Sequence, residues 1–238
     1  MNQGYSPQND PFSSSTHTGF NSVAESSIEV RANFIRKTYV LFLAGILTAI
    51  VAGTICLRVP AVNNAAIGIL QMPILAIGLI LGGSILSQAV ARIQGVGYIA
   101  LFGFTALIGF LFAPIIRTYA PDVVGQAGFL TIMIFGGLTA YAFVSGKNFS
   151  FMGGFLFVGI WAVILAGIAN VFFFNNAGMS YWLAWGALLI SSGFVLYQTS
   201  NIIHEYDEHG YCAAALGLFI SFFNIFTSLL RILGGNRN

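Results

Sequence analysis

The chain has 238 residues, 57% of them hydrophobic and only 7% charged, against roughly 25% charged in an ordinary soluble domain. Its nine basic and seven acidic residues leave a net charge of +2 with no Lys/Arg run, which argues against nucleic-acid binding. Carboxylates are missing between Glu29 and Asp122 and again between Asp122 and Glu205, so most of the chain is suited to lipid and not to water.

Residues 1–33 are rich in Ser, Asn, Gln, Thr and Pro and have neither the basic start nor the apolar core of a signal peptide; they are expected to form a disordered cytosolic tail. The remainder, 34–238, reads as one all-α membrane domain. Crossing the hydrocarbon takes about 20 apolar residues in a helix, because every backbone polar group must be satisfied within the segment. Stretches of that kind fall at 38–57, 72–91, 98–116, 123–145, 151–174, 181–203 and 211–230, predicting a seven-helix bundle.

With the N-terminus inside, Arg31, Arg36, Lys37, Arg92 and Lys147 are cytosolic, while Arg58, Arg117, Arg231 and Arg237 lie opposite. The cluster beside the first span favours that orientation. Cys56 and Cys212 then sit near opposite faces of the bilayer, too far apart for a disulfide. Small residues mark the faces expected to pack closely: Gly45, Ala49 and Gly53 on the first span, Gly78 and Gly82 on the second, Gly159, Ala162 and Ala166 on the fifth.

On the last span Ala214, Gly217, Ser221, Asn224, Ser228 and Arg231 recur at steps of three and four, which is one helical face. Lipid penalises an exposed Asn, so this face should turn inward toward Ser191, Gln198 and Asn201 of the sixth span. Gln198, Asn201, Ser221, Asn224 and Ser228 are the candidate lining of a polar latch or permeation path. The plainer alternative is that they hydrogen-bond helix to helix, at about 0.6–2 kcal/mol each.

Between the last two spans the loop HEYDEH gathers His204, Glu205, Asp207, Glu208 and His209, groups able to sense pH or touch a cation. Their spacing matches no common metal-ligand pattern, so no metal site is assigned and the loop reads first as solvated. No cofactor motif is present. The spans hold no carboxylate pair for intramembrane proteolysis and no nucleophile placed with a base, so the chain reads as a non-enzyme.

Four stretches carry a family resemblance: FIRKTYVLFLAGILTAIVAG from Phe34, SGKNFSFMGGFLFVGI from Ser145, LISSGFVLYQTSNIIHEY from Leu189 and FISFFNIFTSLLRILG from Phe219. Their order and spacing resemble the Bax inhibitor-1 (transmembrane BAX inhibitor motif) family. GFLFAPIIRTY, TSNIIH and the Asn-Ile-Phe-x-Ser-Leu-Leu run are similar to its bacterial YccA-like branch.

The resemblance implies a bundle whose last helix is central, wrapped by the other six, in a bacterial inner membrane. Calcium-leak members of the family carry an Asp in the sixth helix, within Leu-Tyr-Asp-Thr, and another in the seventh, as a pH-responsive latch. The corresponding residues here are Gln198 and Ser221. Neither titrates in the physiological range or supplies negative charge to attract Ca²⁺, which puts a pH-sensitive calcium or cation leak second. YccA-like proteins are associated with the membrane-anchored AAA protease FtsH, as slowly degraded substrates that restrain it in membrane-protein quality control. The resemblance therefore implies a protease modulator whose partners are the bilayer and FtsH, with the tail either a handle for the protease or a spacer.

Overall fold

A computed structural model describes residues 28–93, 95–204 and 210–235. They form α1 (Ile28–Arg58), α2 (Pro60–Leu70), α3 (Pro73–Val90), α4 (Gly97–Ile116), α5 (Pro121–Ser145), α6 (Gly153–Ala169), α7 (Ala177–His204) and α8 (Tyr211–Gly235). A single π turn, Asn170–Phe174, extends α6. Among the described residues, seven segments are long and apolar enough to cross a membrane, at the places the hydropathy predicts. Proline opens α2, α3 and α5, where its missing N–H costs nothing, and Gly146 closes α5 in the left-handed region at φ 57°.

α8 is the centre. Two-thirds of its most apolar stretch, 67%, is buried, against 6–33% in the other spans. It packs against α7, α1, α5, α4 and α3, while α6 lies outside, against α7. The shell is inverted relative to a soluble protein: Leu43, Leu47, Ile50, Leu86, Phe129 and Ile132 all point outward, where lipid tails replace water. Several hydroxyls within the spans bond their own helix, as in Thr131 Oγ1 to the Ala127 carbonyl (2.6 Å) and Thr48 Oγ1 to the Ala44 carbonyl (2.9 Å).

The small-residue faces separate into those that pack and those that do not. α1 and α4 pack at backbone distance: a Cβ on Gly109 would strike the Ala49 backbone, one on Gly53 would lie 3.2 Å from the Gly109 carbonyl oxygen, and one on Gly45 would lie 3.2 Å from Thr105. Gly159 meets Ile190 of α7. The expectation for the second span fails, because nothing approaches Gly78 or Gly82 within 4 Å and it is Gly83 that takes the Phe104 ring.

Two further departures concern length. Residues 60–70 form a helix that the span count passes over: at 11 residues it is about 16 Å long, too short to cross. α1 begins at Ile28 and has 31 residues, about 46 Å at 1.5 Å per residue, so its first turns project beyond a hydrocarbon layer of about 30 Å. Those turns carry Glu29, Arg31, Arg36 and Lys37. Of the expected tail, residues 1–27 lie outside the described residues and 28–33 belong to α1.

Candidate functional site

The polar face of α8 turns inward. Ser221 and Ser228 are buried, Asn224 is half-buried, and Arg231, at the far end of the same stripe, is exposed. Across the seam on α7, Asn201 and Ser191 are buried and Gln198 is half-buried. The side-chain amide of Gln198 lies directly over Gly217: a Cβ there would be 2.8 Å from its Cδ, Nε2 and Oε1. Gly217 therefore allows the α7 amide to sit against the α8 backbone. Ser221 follows one turn along the same face, and Gln198, Asn201, Ser221, Asn224 and Ser228 are all neutral.

Beside the seam is a second polar group that the sequence reading did not select. The Ser200 hydroxyl accepts the Phe149 N–H at 2.8 Å and lies 3.4 Å from Asn148 Oδ1, tying the α5–α6 connection to α7. Thr199 is fully buried. Its hydroxyl and that of Thr139 on α5 face the Tyr39 hydroxyl of α1, yet none of the three makes a well-formed hydrogen bond among the described residues. The available signal was the run Gln198-Thr199-Ser200-Asn201, which puts polar side chains around most of one helical turn.

His204 is half-buried at the end of α7, its Nδ1 lying 3.0 Å from the Ser200 carbonyl oxygen. The other members of the expected sensing loop, Glu205, Asp207, Glu208 and His209, lie outside the described residues. At this same end of the bundle Lys37 stands 5.6 Å from the centre of the Tyr211 ring, and the Tyr98 and Tyr211 hydroxyls are 3.4 Å apart. Among the described residues no group of three or more His, Cys, Asp or Glu side chains is arranged to hold a metal ion.

At the opposite end the α6–α7 turn is built around Asn170. Its Nδ2 donates to Ser180 Oγ (2.7 Å) and to the Asn176 carbonyl (3.2 Å), and its Oδ1 accepts the Asn176 N–H (3.1 Å). The π turn and Asn175, at φ 43°, place Asn176 for these bonds. Asn176 Oδ1 in turn caps α7 through the Met179 N–H at 3.1 Å.

The family described as "Inhibitor of apoptosis-promoting Bax1", Bax1-I, matches residues 31–238. The chain is 34% identical over 205 residues to an uncharacterized membrane protein of Vibrio cholerae, covering 84% of this chain and 88% of that one. It is 39% identical over 142 residues to the modulator of FtsH protease YccA of Escherichia coli, covering 58% of this chain and 64% of YccA. Bax inhibitor 1 of Schizosaccharomyces pombe is 30% identical over 220 residues, 91% of this chain and 81% of the yeast protein.

Proposed function

Because the chain belongs to the Bax inhibitor-1 family of membrane proteins, and YccA, one of its relatives, is named as a modulator of FtsH protease, we propose that it is a bacterial inner-membrane protein that engages and restrains an FtsH-type AAA protease. The likeness to YccA carries this reading. The seam of α7 and α8 supports it, with the Gln198 amide and Ser221 at the two positions where the family resemblance leads one to look for carboxylates.

Restraint of this kind needs no catalytic group. It needs a bundle that resists extraction, which a central, largely buried α8 supplies, and a cytosolic segment for the protease to engage. With the N-terminus inside, the polar sequence of residues 1–27 and the charged first turns of α1 supply that segment. The polar seam then acts as a neutral latch holding α7 to α8.

Co-purification from native membranes after mild detergent extraction tests the partnership. Recovery of the protease with the full chain, and its loss when residues 1–24 are deleted, is expected. Absence of any AAA protease from the full-length sample overturns the proposal.

A further inference from the structure

At the end of the bundle away from His204, a cavity of about 1200 Å³ opens between the α4–α5 turn, the α6–α7 turn and the end of α8. This is above the roughly 300–1,000 Å³ of a typical small-molecule site. Its walls are built, not incidental. The Tyr119 ring lies against the Gly234 backbone, and the Tyr181 ring approaches Gly235, where a Cβ would be 3.5 Å from it. Gly234 thus admits the Tyr119 ring, and the Tyr181 ring packs beside it at Gly235. The third wall is the α6–α7 turn, fixed by the buried Asn170 and its bonds to Asn176 and Ser180, and single π turns of the kind that precedes it are frequent at functional sites.

Arg231 is the one formal charge among the described residues lining this cavity, and none of those residues is acidic. It is the last member of the polar stripe on α8, so the stripe ends in a cation at the wall of a chamber whose other described lining residues are Asn, Ser, Thr, aromatic, Ala, Val and Gly. Guanidinium recognises phosphate through paired N–H donors. Trp182 lines the same chamber and is 74% exposed, and Phe173 and Phe174 beside it are also exposed. Exposed tryptophans such as Trp182 are enriched at the level of lipid headgroups.

We propose that this cavity binds a phosphate group, presented by a phospholipid headgroup or as free phosphate, with Arg231 as its counter-charge and the Asn175–Asn176 turn as a neutral hydrogen-bonding wall. A phospholipid would enter from the leaflet on the α8 C-terminal side, with its acyl chains along the exposed aromatic surface of α6 and α7.

The test titrates short-chain dihexanoyl phosphatidylglycerol into the full chain in an uncharged detergent and reads tryptophan fluorescence, with retained lipid counted by native mass spectrometry. Saturable binding is expected, at least tenfold tighter than that of dihexanoylglycerol, which lacks the phosphate. Arg231→Gln should weaken it at least tenfold, and Ala177→Glu, which sets a carboxylate on the exposed rim, should do the same while leaving thermal unfolding unchanged. Competition by inorganic phosphate at similar concentration would identify free phosphate as a sufficient ligand, and lack of competition would identify the lipid as the source. Equal binding of dihexanoylglycerol, or wild-type affinity in both variants, overturns the proposal.

Discussion

Gly217→Ala sets a methyl group 2.8 Å from the Cδ, Nε2 and Oε1 atoms of Gln198, closer than side chains normally approach. Relieving that clash means moving the amide out of the seam, and overpacking of this kind costs about 1–3 kcal/mol. Ala also favours a helix over Gly by up to about 1 kcal/mol, so the net loss should be about 0–2 kcal/mol. In a Gln198→Ala background the obstructing amide is gone and only the helix term remains, so the same substitution should be neutral or stabilising. A double-mutant cycle in mixed micelles, read by reversible unfolding, should therefore give a coupling of about 1–3 kcal/mol. Equal effects of Gly217→Ala in the two backgrounds would refute the placement of the amide over α8.

Other substitutions probe the remaining features. Gly109→Ala drives a methyl into the Ala49 backbone, which cannot swing aside, so it should cost at least 2–3 kcal/mol on the overpacking scale; Gly78→Ala, with open space around it, should be near neutral in the same thermal unfolding assay. Asn170→Ala removes three side-chain hydrogen bonds, at roughly 1 kcal/mol each, and should lower stability by about 2–3 kcal/mol and speed cysteine labelling of residues introduced in the α6–α7 turn. Gln198→Asp combined with Ser221→Asp should create Ca²⁺ flux in dye-loaded liposomes where the wild type matches empty vesicles; wild-type flux well above empty vesicles would return the leak reading to first place.

The spans were legible because 20 consecutive apolar residues are a physical requirement that few other structures share. The inward turn of the Ser221, Asn224 and Ser228 stripe was legible for a related reason, since lipid leaves a polar face nowhere else to go. What escaped was anything set by tertiary geometry. Gly78 and Gly82 follow the same small-residue pattern as Gly45 and Gly53, and only the position of α4 decides which pair is used. The short helix α2 carries no crossing signal. Asn170 falls inside the expected fifth span, 151–174, and only the π turn brings it to Asn176 and Ser180. Ser200 and Thr199 matter because of partners some 50 or more positions away in sequence, at Phe149, Thr139 and Tyr39, a kind of pairing that no local period encodes.

Restraint of a membrane-anchored AAA protease by this chain is tested most directly by reconstitution. FtsH in proteoliposomes, supplied with ATP and a fluorescent membrane client, should degrade that client several-fold more slowly when this protein is included in equal amount. The inhibition should fade as the protein is itself slowly consumed. Client degradation at the same rate with and without the protein would contradict the claim.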